Sequence, residues 1–431
     1  MANYANNYFP SQVVSDLEKM LPEYGLKVAQ AIEREWFNET YSTNRYYTNK
    51  QEFHKLRLYA RGEQSVQKYK DELSINGDLS YLNLDWKPVP IIPKFVDILV
   101  NGMSNRTYKV KATSQDPYGM NKRTSYMEAI LEDMRTKDLA KFSKDRFKVD
   151  IFNTPEDKLP ETQEELDLHM QLTYKQSVEL ANEQAINVLL EGNKYELIKK
   201  RFYYDLAVLG IACVKTSFNT SEGVKVQYVD PANIVYSYTD SPYFDDIYYI
   251  GEVKTIPINE VAKEFPNLTE SELKEITKQY NVSTGKYSAY QSRGEKYQDE
   301  NKVKLLYFNY KTFMNDVYKI KSLPSGGEKA IEKNDQFNPP EDKQVNFTRL
   351  SKKVETLFEG VLVLGTDKIL KWQQAKNMIR PKSDYNKVQM NYSIVAPRMY
   401  NGKIDSLVKR ITGFADMIQL THLKLQQVMS R

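Results

Sequence analysis

The chain has 431 residues, 61 Lys and Arg against 57 Asp and Glu, a formal net charge of +4 and 41% hydrophobic residues. That length allows two or three domains with cores of their own, and the single cysteine, Cys213, excludes a disulfide framework and a cysteine-based zinc site. No apolar run approaches the roughly 18–20 residues of a membrane-spanning helix, so no membrane partner is expected, and the first ten residues lack the basic segment and apolar block of a secretory signal.

In chain order, the spacing predicts a helix near Val13–Met20 that ends at Pro22, and a second that carries Tyr24, Val28, Ile32 and Trp36. The pattern breaks around Arg61-Gly62-Glu63-Gln64. Pro88, Pro90 and Pro93 then lead into an apolar helix over Phe95–Gly102, and Tyr108–Ala112 alternates like a short strand. Residues 121–150 read as charged helix, and the acidic stretch 154–167, with Pro155 and Pro160, as a linker placed near 151–163. One long helix is expected from about 163 to 191, with Val178, Ala181, Ala185, Val188 and Leu189 on one side and Gly192 just past its end. Another, over 195–209, precedes Gly210. Ile211–Phe218 and Val224–Val229 are expected to pair as a hairpin that Asp230-Pro231 terminates, because proline cannot donate to a central ladder. A strand follows over Ile247–Thr255.

Pro257 reads as N1 of a short helix closed by Pro266, and Thr269 with Glu272 makes the capping-box pattern of a helix running to Tyr280. Residues 281–300 are polar. Val303–Tyr310, Val317–Ile320 and Lys353–Val363 read as strands, interrupted by 324–346, a Pro-, Gly- and Asp-rich stretch expected to be a mobile loop. From Gly402 on, Ile404, Val408, Ile411, Ala415, Ile418, Leu425 and Met429 recur every three or four residues, thickened by Leu407, Phe414 and Val428. About half the surface of this helix is therefore expected to seek a partner. Ser430-Arg431 supplies no stop signal, so the helix is expected to continue in a longer chain or to be finished by neighbouring copies. Charge is uneven: residues 343–431 hold 16 Lys and Arg against 6 Asp and Glu, a candidate surface for polyanions or acidic partners. The 32 tyrosines suit extensive subunit contacts.

Residues for chemistry are sparse. His54, His169 and His422 have no metal-ligand spacing, Gly326-Gly327-Glu328-Lys329 lacks the spacing of a phosphate-cradling loop, and no nucleophile elbow occurs. Asp245-Asp246, with Asp240 nearby, could hold magnesium in a nuclease-like site; beside Pro242 and Tyr243 the same residues are ordinary turn chemistry. His422 falls on the apolar stripe, where a packed or interface histidine is expected. Lys403, Lys409, Arg410 and Lys424 are candidates for contact with DNA phosphates, and equally for pairing with Asp405 and Asp416 of neighbouring copies.

Taken in order, these segments resemble a portal protein of tailed bacteriophages, the ring at the genome-entry vertex of the capsid. The likeness lies in layout, not in a signature motif. Tyr59-Ala60-Arg61-Gly62-Glu63-Gln64, the helix over Ile92–Gly102 and the strand over Tyr108–Ala112 resemble the family's opening pattern. The long helices, the Ile211–Val229 hairpin, Asp230-Pro231 and the strand at Ile247 resemble its wing, and 269–431 resembles stem helix, clip insertion and second stem helix. The abundance of Tyr and Asn is most similar to portals of crAss-like phages.

The resemblance implies an α+β fold with a helix-rich wing over 1–256, a first stem-helix region over 257–300, a β-rich clip over 301–400 and a second stem helix over 401–431, the rest of the wing and the crown being absent. It implies a non-enzymatic subunit without cofactor, in a homo-oligomeric ring that the family makes twelve-fold. The implied partners are the major capsid protein, the terminase motor, tail adaptor proteins and double-stranded DNA passing through the channel. The implied location is the capsid portal vertex of a virion assembled in the host cytoplasm. Subunit-interface candidates are Ile404, Val408, Ile411, Phe414, Ile418 and Leu425; clip docking candidates are Lys352, Lys353, Lys368, Lys371, Arg380 and Lys382. The alternatives are a metal-dependent DNA-processing enzyme centred on Asp240, Asp245 and Asp246, and a tail adaptor or other virion structural protein.

Overall fold

The computed structural model describes residues 9–41, 49–74, 84–147, 160–172, 174–219, 223–277, 302–322, 327–335, 337–338, 347–381 and 383–429. The helices are α1 (Asp16–Met20), α2 (Pro22–Tyr41), α3 (Asn49–Arg61), α4 (Gln67–Leu73), α5 (Ile92–Ser104), α6 (Pro117–Arg135), α7 (Lys137–Phe147), α8 (Gln163–Leu172), α9 (Ser177–Gly192), α10 (Tyr195–Val208), α11 (Ile258–Glu264), α12 (270–277) and α13 (Leu407–Met429). The strands are β1 (Ala212–Asn219), β2 (Gly223–Val229), β3 (Ile234–Tyr236), β4 (Tyr249–Pro257), β5 (Lys302–Ser322), β6 (Glu328–Lys333), β7 (Phe347–Val363), β8 (Ile369–Gln374), β9 (Tyr392–Val395), β10 (Met399–Tyr400) and β11 (Lys403–Ile404). The chain is thus a mixed helix-and-sheet protein. It divides into two compact units, Met1–Asn105 with Leu197–Arg431, and Arg106–Glu196.

In the larger unit, β5 is the organising strand. Antiparallel β5 and β7 pair from Leu305↔Val363 to Lys321↔Phe347 without a register shift, in a sheet of order β3-β4-β5-β7-β8 with β6 added to the outer end of β5. Because side chains alternate across a strand, Leu306, Phe308 and Tyr310 face one way and Val303 and Leu305 the other. Both sets are buried. Against the first packs α2, through Tyr24, Val28, Ile32 and Trp36 at helical spacing; against the second pack Val261 of α11 and Ile276 of α12. Gly360 lets Phe308 lie flat on β7, since a Cβ there would run into the phenyl ring. A second sheet, β2-β1-β9, shares a core with α3, α5, the end of α10 and the start of α13. The Arg106–Glu196 unit has a small core of its own around Ile130, Leu166 and Met170, with Tyr126 stacked on Tyr174 at 4.3 Å.

The hairpin β1–β2 and the Thr269–Glu272 cap form as expected, the latter with Thr269 N–H donating to Glu272 Oε2 at 2.8 Å. Other expectations change. Tyr108–Ala112 makes no strand among the described residues: Ala112 N–H and Ser114 N–H donate to Glu183 Oε1 (3.0 Å) and Glu179 Oε1 (2.7 Å), so carboxylates on α9 replace a ladder. The helix expected over 163–191 stops at Leu172 and restarts at Ser177, where Gln176 and Glu179 form a reciprocal capping box. Gly192 stays inside the last turn, and Lys194 takes the left-handed position instead, with φ 52°.

The first helix ends at Met20, before Pro22 as expected, and Pro22 also opens α2; Pro257 ends β4 and caps α11 from outside. Val303–Tyr310 and Val317–Ile320 are one strand because the polar residues between them stay in register with β7. Part of the expected loop over 324–346 is β6. The rest of that loop beyond 327–335 and 337–338, the 151–159 part of the linker, residues 281–300 and the continuation to Tyr280 lie outside the described residues.

The expected boundary near 256 crosses a continuous sheet: β4 pairs with β5 from Tyr249↔Tyr310 to Pro257↔Lys302, and β9 pairs with β1. Among the described residues no helix is long and apolar enough to cross a membrane.

Candidate subunit interface

The helix α13 is aimed by the hairpin before it. Asn401 and Gly402 both have positive φ, 47° and 68°, the two-residue turn that matches the twist of β10 and β11. Ser406 then caps the helix, its Oγ accepting from Lys409 N–H at 3.0 Å.

Over its middle turns α13 directs two polar residues, Asp416 and Gln419, inward, while Lys409, Arg410, Thr421, His422 and Lys424 are exposed. Asp416 accepts from Tyr59 Oη at 2.9 Å and Tyr69 Oη at 2.7 Å and pairs with Lys68. Buried Gln419 accepts from Val89 N–H at 2.8 Å and donates toward Lys87 O at 3.4 Å. Burial alone would raise the Asp416 carboxyl, but the donors Lys68, Tyr69 and Tyr59 together hold it below its ordinary range. Burial first, and the hydrogen bond to Asp416 second, push Tyr69 up to about 12. Val408, Ala415 and Leu423 share the inner side.

The exposed side carries an apolar stripe. Phe414 is 65% exposed, Met417 57% and Leu425 58%, with Ile418, Val428 and Met429 also exposed. Met417, Ile418, Thr421, His422 and Leu425 line a shallow groove along it. A helix stabilised only within its own chain commonly buries its Phe and Ile; α13 instead leaves Phe414 and Ile418 exposed while Asp416 and Gln419 are bonded inward.

The six interface candidates therefore divide. Ile404 and Val408 are buried in the chain's own core and Ile411 packs against it, whereas Phe414, Ile418 and Leu425 face outward. The period that identified all six could not separate the two sets. A stripe that sequence reading left unassigned, Phe95, Ile98 and Leu99 on α5, is also exposed. Its signal was present in the largely apolar stretch Phe95–Val100, where Val96 and Val100, one helical turn apart, supply the buried side.

The basic candidates are mostly engaged within the chain. Lys409 pairs with Glu52 at 2.8 Å and Arg410 with Asp405 at 2.5 Å, so the acidic partners proposed on neighbouring copies are met locally. Lys403 and Lys424 are exposed. In the 301–400 segment Lys371 pairs with Glu359 at 2.6 Å and Lys368 with Glu272 at 3.7 Å, while Arg380 donates to the carbonyls of Glu355 (2.9 Å) and Tyr385 (3.0 Å) and so braces a loop. Lys352 and Lys353 are exposed on β7, the latter over the Phe313 ring at 4.9 Å. Lys382 lies outside the described residues.

Asp240 accepts from Tyr238 Oη at 2.8 Å, Asp246 accepts from Thr239 Oγ1, and Ser241 N–H donates to Thr239 Oγ1 at 3.0 Å. These are turn contacts. Among the described residues no group of His, Cys, Asp or Glu has a metal-holding arrangement. Neither a protein-family model nor any curated protein matches the chain.

Proposed function

We propose that the chain is a non-enzymatic structural subunit of the ring-shaped portal at the capsid vertex of a tailed bacteriophage, similar to the portals of crAss-like phages. The observation that carries this reading is the exposed apolar stripe of α13, Phe414, Met417, Ile418 and Leu425, on a helix that holds Asp416 and Gln419 inward. Side-by-side assembly of identical subunits covers such a stripe on every copy, and each large side chain so buried contributes about 1.5–3 kcal/mol. The order of segments in the sequence supports the narrower choice of a portal.

In this reading the ring forms the channel for packaging and ejecting double-stranded DNA and contacts the major capsid protein. The β-rich 301–400 segment is presented to the terminase motor and later to the tail adaptor, and a separate ATPase supplies the energy. The subunits assemble in the host cytoplasm and remain in the virion.

Negative-stain electron microscopy and sedimentation of the purified chain test the proposal. Rings with a central hole are expected, and their loss is expected in the triple variant Phe414→Ser, Ile418→Ser, Leu425→Ser with its thermal unfolding midpoint unchanged. A wild-type chain that stays monomeric over the accessible concentration range overturns it.

A further inference from the structure

Helix α5 has an exposed apolar face of the same kind as α13. Its residues Ile92, Val96 and Val100 turn into the core that α13 enters through Val408 and Ala415, and α3, α5 and α13 touch one another there. At 3.6 residues per turn, Ile98 falls on the side of α5 opposite those three, with Phe95 and Gly102 next to it and Leu99 at its edge. Phe95 is 57% exposed and Ile98 61%.

Two glycines show what these faces can admit. Gly102 on α5 and Gly413 on α13 are exposed, and a Cβ built on either meets no atom within 4 Å among the described residues. Neither has the positive φ that requires glycine, and glycine inside a helix is destabilising relative to alanine. The bare backbone serves no packing need among the described residues, but it lets a second helix approach closely. Gly102 follows Ile98 by about one turn and Gly413 precedes Met417 by about one turn, so each glycine continues its own apolar stripe.

Charge selects which face meets which. Asp416, the carboxylate of α13, is committed to Tyr59, Tyr69 and Lys68, while Lys409 and Arg410 pair with Glu52 and Asp405. Lys424, on the Met417 edge of the stripe, is exposed and makes no ion pair among the described residues. Two α13 helices laid on each other would bring the Lys424 of both copies to one contact with no free carboxylate on either helix. Helix α5 supplies one: Asp97 flanks its stripe, is exposed and makes no ion pair among the described residues. Lys94, the other charged residue of α5, lies at the end of the stripe away from Gly102.

We propose that α5 of one copy packs along the α13 stripe of the next copy, with Phe95, Ile98 and Leu99 seated on the groove between Met417 and Leu425 and Asp97 facing Lys424. Because the surfaces joined are different, the contact is heterologous and propagates from copy to copy, as a ring requires. The proposal rests on the ring reading above for an α13 stripe that is covered, and on the α5 face for what covers it.

Cysteine cross-linking of the full chain tests it, since the native thiol, Cys213, is buried in the core. The variants Ile98→Cys and Ile418→Cys are treated with a short bis-maleimide, separately and as an equimolar mixture. A cross-linked dimer is expected in the mixture and in neither variant alone. In sedimentation, Phe95→Ser, Ile98→Ser is expected to associate about tenfold or more weakly than wild type with its thermal unfolding midpoint unchanged. Asp97→Lys and Lys424→Asp are each expected to weaken association about threefold, and the two together in one chain to recover it. Cross-linking of Ile418→Cys alone overturns the contact, because α13 then packs on its own counterpart. So does the absence of a cross-link in the mixture while the wild-type chain assembles. If the α5 serine variant assembles as wild type while the α13 serine variant does not, the α5 contact fails and the ring reading stands. A monomeric wild-type chain removes both.

Discussion

The two halves of the β5–β7 ribbon have the same backbone and different fates. Near its base, Leu306, Phe308 and Tyr310 lie beneath α2 and Val303 and Leu305 beneath α11 and α12. Beyond Val317 the same two strands continue in unbroken register, but β6 is exposed along its whole length and the side chains are sorted by charge. Strand pairing thus sets the ribbon's length, and what covers its faces decides whether a stretch is core or surface. Backbone hydrogen bonds give little net stability to choose between the halves, while apolar burial gives a great deal.

Substitutions can break that contrast. Phe308→Ala removes a ring packed near Trp372, at a centroid distance of 5.9 Å, and fully inside the base. It is expected to cost about 3–5 kcal/mol in a denaturant melt. Acidity acts on the base as well. Glu33 on α2 accepts Gly365 N–H at 2.5 Å at the β7–β8 turn, and burial, with Asp367 adding to it, pushes the carboxyl from 4.5 up to about 7. A group whose folded value is raised favours the fold when protonated. Its stabilising share is complete below about 4.5 and lost as pH rises through 7, a fall of order 2 kcal/mol. Unfolding free energies measured between pH 5 and 8 should show this slope, and Glu33→Gln should flatten it.

Gly360→Ala places a methyl group against the Phe308 ring and is expected to cost about 1–3 kcal/mol by overpacking. In the outer half, Leu350→Ala and Lys321→Glu are expected to shift stability by no more than about 0.5 kcal/mol. A cost above about 2 kcal/mol for either would mean that the outer ribbon is packed within the chain, and would erase the distinction between the halves.

Much of the fold was legible where the signal is local. Thr269 and Glu272 announce their cap because each satisfies the other's backbone across a single turn. The β1–β2 hairpin is bounded by turn residues and ended by Pro231. Strands β8 and β9 were not legible: Ile369–Gln374 and Tyr392–Val395 are short, and their pairing with β7 and β1 is a choice made across the fold. Tyr108–Ala112 failed for the opposite reason, since its alternation fits a strand but Glu183 on a helix distant in sequence took the Ala112 N–H and Glu179 that of Ser114 just beyond it. For the candidate site, periodicity found the α13 stripe but not its division, and composition found the basic end but not which lysines were already paired.

The sequence by itself determined which residues can share a face: period 2 along β5 and β7, period 3.6 along α2 and α13, and the caps and turns between them. These follow from the geometry of a few neighbouring residues and need no partner. Tertiary structure decided which of those faces is covered. It turned Asp416 and Gln419 inward and Phe414 and Leu425 outward on one helix, and it brought Lys319 and Arg349 side by side from strands distant in sequence. Coverage depends on which distant elements pack together, and that is settled by apolar area and hydrogen-bond satisfaction summed over the whole unit.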